Sequence, residues 1–315
     1  MEDNGIILNL LNSTFDKSTI SQIENNYLKN LKSITKWMCY SDYCLDDKTK
    51  PNDVITFSII PYIDEFLTVE NFIKETAKTD IKKTSIVNEK FIEFLKLYPI
   101  INFSFILNDR KNLFGNNHEE IKVNLINQYI LIRGQYELWI KNEPERETYY
   151  KPFLKKIDSC INLIKNSKKI KQLIDVILIP LLGGYVSNVI LNRVDKLEIF
   201  GWFSDRDKLL DVENGIAINF FHNNLHVLID NKNFQFATSL SDCNFDIFYD
   251  QYIKIPDYIV GTLADYDLEN NQISKDKFNT VLTNYMGDNQ YNNYVFRIFK
   301  KDNNYNCEKI MIMKK

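Results

Sequence analysis

No pair of cysteines in this sequence stands at C-x-x-C spacing, and the five present, at 39, 44, 160, 243 and 307, are odd in number and scattered. That excludes a clustered-cysteine zinc or dithiol site and points to a reduced, cytoplasmic setting. Net charge is nearly absent as well: 39 Lys and Arg against 42 Asp and Glu leave −3. The chain therefore has no global attraction to nucleic acid or anionic membrane, and a polyanion would have to meet a local patch. The opening "MEDNGIILNLLNSTF" has no basic n-region and no long apolar core of the secretory kind. The longest apolar stretch, "LIDVILIPLLGGYVSNVIL", is interrupted by Asp175, Pro180 and Gly183-Gly184, which reads as a buried segment rather than a membrane span. There is no G-x-S-x-G nucleophile signal, and "LLGGY" lacks the Lys-Ser/Thr of a nucleotide-binding loop. No internal repeat or low-complexity linker marks a boundary.

What is there describes a globular protein, 44% apolar and 26% charged over 315 residues, long enough for one large domain or two ordinary ones. Helical spacing of Ile20, Ile23, Tyr27, Leu28 and Leu31 predicts a first helix near 18–33. "SITKWMCYS" and "VITFSIIPY" flank an Asp, Lys, Pro and Asn cluster and predict a hairpin. "SIVNEKFIEFLKLYP" predicts a helix capped by Ser85 and ended by Pro99, and "IINFSFILND" a buried strand. Residues 116–192 read as two to four helices and "KLEIFGWFSDRD" as a strand ending in an acidic turn. "GIAINFFHNNLHVLID" reads as strand and turn, and "IPDYIVGTLADYD" as a helix opening at Pro256. "NYVFRIF" and "EKIMIMKK" could pair as two late strands. The order predicts a mixed α/β fold with a central sheet.

Carboxylates recur where the predicted sheet ends. Asp42, Asp46 and Asp47 fall at the hairpin turn, Asp205 ends the later strand, and Asp257 and Asp265 lie eight residues apart on one helix, about 80° around its axis. Were the two strands neighbours, their acidic ends would meet at one edge of the sheet, and the helix could bring a third carboxylate. Three clustered carboxylates repel one another unless a cation is present. Mg2+ or Mn2+ takes such oxygen ligands, and a site of this kind suits hydrolysis of a phosphodiester.

These positions resemble the motifs of the ribonuclease H-like proteins of the domain-of-unknown-function 3800 family. Members open with a strand leading to an Asp-Glu-Ser-Gly-type turn and have a Lys-containing segment before a helix. A later strand ends in Asp, and a final helix carries Gln-x-Ala-Asp-x-x-x-Gly. The matching stretches are "YSDYCLDDK" around Asp42, "TDIKKT" around Lys82, "FSDRD" around Asp205, and "KIPDYIVG" around Asp257 and Gly261. Tyr43-Cys44-Leu45 replace Glu-Ser-Gly, and Lys254-Ile255-Pro256 replace Gln-x-Ala. The resemblance implies a ribonuclease H-like central mixed sheet with flanking helices over residues 35–270, with a helical insertion at about 116–192, an N-terminal helical segment 1–34 and a C-terminal extension 271–315. It also implies a metal-dependent nuclease with Asp42, Asp205 and Asp257 as catalytic and metal-binding residues; helix spacing offers Asp265 as a further ligand, and defence against mobile elements is one setting for such an enzyme.

Blander readings compete with each of these. Arg206 can pair with a neighbouring acid, a helix dipole favours Asp257 beside Pro256, and solvent exposure explains Asp265. The replaced motif residues suit a non-catalytic member that serves as a binding or regulatory subunit with a protein partner. "KKIDSCINLIKNSKKIKQ" is a solvated basic helix or, with Lys82, a place for a phosphate backbone at Lys165, Lys168 and Lys169. His222 and His226 have the i,i+4 spacing of a zinc pair, but no Glu follows the first and Asn223-Asn224 disfavour a helix. Cys44 beside the acids makes a poor nucleophile.

Overall fold

The computed structural model describes residues 2–16, 18–166, 170–205, 208–229, 233–239, 249–302 and 304–314. Its elements run α1 (Glu2–Asp16), α2 (Thr19–Gln22), β1 (Lys36–Cys44), β2 (Val54–Pro61), α3 (Phe66–Thr76), α4 (Glu89–Leu97), β3 (Ile101–Ile106), α5 (His118–Asn142), α6 (Glu147–Asn166), α7 (Ile170–Leu191), β4 (Ile199–Ser204), α8 (Lys208–Asp211), α9 (Ile216–Leu228), β5 (Gln235–Thr238), α10 (Tyr249–Asp265), α11 (Asp276–Val281), β6 (Asn293–Lys301) and β7 (Asn304–Ile310). The fold is mixed α/β around one seven-stranded sheet in the order β5-β4-β1-β2-β3-β6-β7.

β1, β2 and β3 form an antiparallel meander, while β4 runs parallel beside β1 and β6 parallel beside β3. Successive side chains on a strand point to opposite faces, so each strand feeds two cores. Met38 and Tyr40 of β1, with Phe203 of β4, pack against α3, α4, α10 and α11. Trp37, Cys39, Phe57 and Phe103 pack against α1, α5, α6, α7 and α9. The residues at 271–315 supply β6 and β7 to the same sheet, so the sheet has no break at 270.

Several expectations change. The helix predicted near 18–33 is a short α-turn followed by π and 3-10 segments, preceded by α1, which sequence periodicity missed. α4 begins after Asn88, whose side chain accepts a hydrogen bond from the Lys90 backbone N–H at 2.9 Å; Ser85 lies outside it. The 116–192 region forms three helices. "GIAINFFHNNLHVLID" is helical as α9, because burial of Ile216, Phe220, Phe221 and Leu225 outweighs the weak propensity of Asn223-Asn224. α10 starts at Tyr249 and carries Pro256 within it, so Asp257 sits in mid-helix and the dipole explanation does not apply there.

α7 is the one helix among the described residues long and apolar enough to cross a membrane, and 94% of its most apolar window is buried. It packs against α9 and β2. At Gly183 an added Cβ would lie 2.5 Å from a Phe221 ring carbon and 2.6 Å from a Phe57 ring carbon. Only glycine lets the helix approach both rings.

Arg110, 2% exposed, fastens the end of the meander. Its guanidinium donates to Asp175 of α7 at 2.6 Å and 3.0 Å, to Asp53 at 2.5 Å and to Asp46 at 2.8 Å. Lys171 also donates to Asp46. Burial pushes Arg110 down and the carboxylates push it back further, so it stays fully charged. Replacing Arg110 with Met leaves Asp175 buried without its cation, and a loss of about 3–5 kcal/mol in urea unfolding is expected. A loss below about 1 kcal/mol would show that the cluster is solvated rather than structural.

Candidate active site

Asp42 belongs to β1 and is not in the turn: it faces Thr56 of β2 in register. Two residues on from Tyr40, it points to the α10 side of the sheet. Ser41 pairs with Ser204 across β1 and β4, and the Asp205 backbone N–H donates to the Ser41 carbonyl at 2.9 Å. Asp205 therefore continues the register beside Asp42. α10 crosses the same face and brings Asp257 close enough for its charge to act on the Asp42 carboxyl. The three carboxylates line one cleft of about 560 Å3.

Helix placement is tight. At Gly261 an added Cβ would stand 2.5 Å from Ile81 Cγ2, so α10 lies directly on the 79–84 loop. That approach lets Asp257 Oδ2 accept the Ile81 N–H at 2.6 Å. Lys277 holds the loop from the other side, donating to the carbonyls of Ile81, Lys82 and Thr84 at 2.7, 2.8 and 2.9 Å. Asn52, from the β1–β2 turn, donates to the carbonyls of Leu263 and Tyr266 at 2.9 and 2.7 Å and finishes the end of α10.

Burial, and after it the charges of Asp257 and Asp205, raise the Asp42 carboxyl well above its ordinary range. Asp42 also accepts the Tyr43 backbone N–H at 2.7 Å, which opposes the rise without cancelling it. Burial raises Asp257 to about 6, with Asp80 and Asp205 adding to it and the Ile81 N–H opposing. Asp42 and Asp257 thus share a proton more readily than they hold two charges. Burial first, then Asp47 and Asp42, raise the Cys44 thiol to about 11, so it is no nucleophile at neutral pH.

The other predicted residues separate. Asp265 stands two turns along α10, about 12 Å from Asp257 along the axis and about 80° around it. It accepts from Lys50 Nζ at 2.5 Å and from the Ser274 N–H and Oγ at 2.7 Å, and it does not line the cleft. These partners outweigh burial and hold it below the usual carboxylate range, so it is a structural anion and no ligand. Asp46 serves Arg110 and Lys171. Asp47 accepts the Thr49 N–H at 2.9 Å in a local turn and stands on the cleft rim.

Lys82 lines the cleft as expected. Lys165 does not: it is on α6, whose Ile157, Cys160 and Ile164 are buried in the layer on the opposite face of the sheet. Lys168 and Lys169 lie outside the described residues. Lys50, Lys254, Lys275, Asp80 and Asp250 also line the cleft and escaped sequence reading. Asp250, Lys254, Asp257 and Gly261 recur at helical spacing on one face of α10, a signal hidden by starting the helix at Pro256.

His222 and His226 are on α9, away from this cleft, with their Nε2 atoms 2.9 Å apart. Burial and the neighbouring His226 lower His222 to about 4. No family model, curated protein or solved structure matches this chain.

The raised carboxyls set the sign of one pH effect. A carboxyl with a raised folded-state pKa binds its proton more tightly when folded, so its contribution is most favourable below about pH 4 and falls as pH rises toward about 6. Asp42, raised by burial and then by Asp257 and Asp205, extends that fall upward. Urea midpoints measured from pH 4 to 8 should show Asp257→Asn gaining on the unsubstituted protein as pH rises, by about 1–3 kcal/mol at pH 7. A difference independent of pH would remove the like-charge account of the pair.

Proposed function

We propose that this chain is a divalent-metal-dependent phosphodiesterase acting on nucleic acid, built on a ribonuclease H-like sheet. The observation that carries this reading is the meeting of Asp42, Asp205 and Asp257 in one open cleft, from two parallel neighbouring strands and the helix that crosses them. The β1–β2–β3 meander with β4 beside β1 supports it, since that order sets the two strand ends side by side. Four described cysteines are free, in keeping with a reduced cytoplasmic setting.

The donor set suits a hard cation. Asp42 and Asp257 present carboxylate oxygens that repel one another when both are charged, and Asp205 adds charge from the solvent side. A Mg2+ or Mn2+ ion bound there would supply a water of lowered pKa and neutralise charge on a phosphoryl oxygen. The chain's own part is positioning. The Ile81 N–H and the Lys277 tether fix Asp257, and the β1–β4 register fixes Asp205 beside Asp42. Lys82 and Lys275 stand exposed on the cleft rim and counter the repulsion between the acids and a phosphate backbone.

One observation favours a non-catalytic binding or regulatory role instead. Among the described residues no three His, Cys, Asp or Glu side chains already stand in a metal-ligand arrangement. Calorimetry with Mn2+ separates the two. Binding that is lost in Asp42→Asn and kept in Asp265→Asn supports the metal site, and heat-silent titration of the unsubstituted protein sinks it. Hydrolysis of labelled single- and double-stranded DNA and RNA should follow the same pattern, with Asp42→Asn reducing turnover at least about a hundredfold.

The rim lysines make a separate prediction. Lys82→Ala and Lys275→Ala should each weaken oligonucleotide binding and reduce the slope of log K against log salt by about 1, whereas Lys165→Ala should leave both unchanged. Fluorescence anisotropy from low to moderate salt measures this, and an effect of Lys165→Ala equal to that of Lys82→Ala would move the binding face to the other side of the sheet.

A further inference from the structure

The carboxylate cleft leaves one reactive pair unused. His222 and His226 occupy successive turns of α9, and i,i+4 spacing places both imidazoles on one side of the helix. Their Nε2 atoms face each other at 2.9 Å in a hydrogen bond, one nitrogen donating its N–H and the other accepting. His222 is half-buried and His226 is exposed, so the space around the two nitrogens is open to solvent.

Both rings are held in place. His222 stacks on Phe236 of β5 with centroids 4.7 Å apart and planes within 15°. His226 stacks on Phe234 at 5.7 Å and 22°. The two imidazoles meet edge to face, 65° between planes. Aromatic backing of this kind limits ring rotation, so the nitrogens are aimed before any ligand arrives.

A metal's geometry sets the separation it needs. Two metal–nitrogen bonds of about 2.0–2.1 Å at a right angle set their nitrogens about 2.9 Å apart, whereas a tetrahedral angle opens them to about 3.3 Å. The hydrogen-bonded rings already stand 2.9 Å apart, so a right-angled metal can replace the shared proton with little ring movement. Tetragonal nitrogen coordination belongs to Cu2+ and Ni2+. Glu143 and Arg146, which act electrostatically on His226 and pair with each other at 3.1 Å, offset one another's charge.

We infer that His222 and His226 form a two-nitrogen site for a tetragonal divalent transition metal, Cu2+ or Ni2+, with the remaining positions filled by water. The site is independent of the carboxylate cleft. It takes the soft-to-borderline metals that prefer imidazole, while the cleft presents only oxygen ligands.

The test uses the full chain and two probes. Calorimetric titration with NiCl2, compared with the same titration of Asp42→Asn to subtract any binding in the carboxylate cleft, should show an equivalent that remains in Asp42→Asn and is weakened at least about tenfold in His226→Asn and again in His222→Asn. With one equivalent of CuCl2, electron paramagnetic resonance should give an axial signal with superhyperfine structure from two nitrogens. Because His226 is exposed, its variant should keep the unsubstituted circular dichroism spectrum and melting curve, so a misfolded His222→Asn cannot decide the matter alone. The inference is overturned if the Ni2+ affinity is unchanged in His226→Asn, if the Cu2+ spectrum shows fewer than two nitrogens, or if ZnCl2 displaces an equal concentration of Ni2+ completely.

Discussion

The arrangement turns on the contact between Asp42 and Asp257, two carboxyls brought together under burial by a strand and a helix. Left to themselves such groups separate or take up protons. Here the backbone gives them no room to separate. β1 is paired on both sides, to β2 and β4, so Asp42 cannot shift without breaking the register of three strands. α10 is pressed onto the 79–84 loop at Gly261, and Lys277 holds that loop through three carbonyls. The strain of like charges is thus carried by elements that have independent reasons to be where they are, as functional sites commonly require.

Acids of similar appearance in the sequence have opposite fates. Asp46, Asp53 and Asp175 surround one buried guanidinium and fasten the meander to α7. Asp265 is neutralised by Lys50, whose ammonium also lies 4.3 Å from the Phe278 ring centroid. Among the described residues no cation hydrogen-bonds Asp42 or Asp257 in this way, and their carboxyls rise while those of Asp46 and Asp265 fall. Paired anions build the frame, and the like-charged pair is what the frame holds.

Much of this was legible from residue patterns alone. The hairpin, β3, β4 and β6 carry β-branched and aromatic runs dense enough to read, whereas β7 overlaps the predicted 308–315 run only at its end, and β1 and β4 end near the acids that line the cleft. Asp42 and Asp205 follow from strand ends, whereas helix spacing offered Asp257 and Asp265 alike and the motif resemblance singled out Asp257. What failed did so for identifiable reasons. Pro256 looks like a helix start, which concealed Lys254 and Asp250, about one and two turns before Asp257. Asn223-Asn224 has poor intrinsic helix propensity, and only the tertiary burial of its neighbours makes α9 a helix. β5 is four residues long and half-exposed, too short for an alternating pattern to register. Lysine charge read along the chain pointed to α6, but the sheet stands between that helix and the acids.

The strand order also dictates a timetable for synthesis. β1, β2 and β3 leave the ribosome first, and both outer edges of their meander await partners encoded much later: β4 for β1, and β6 for β3. The first of these arrives only after α5, α6 and α7 have been made, the second only after α10 and α11. Between the synthesis of β3 and that of β4 the nascent chain therefore presents two unpaired apolar strand edges, each a template for pairing with another chain, and the β3 edge stays open until β6. A ribosome stalled before residue 293 would release a sheet with β3 still open, and recombinant yield should depend on how quickly the last strands follow the rest.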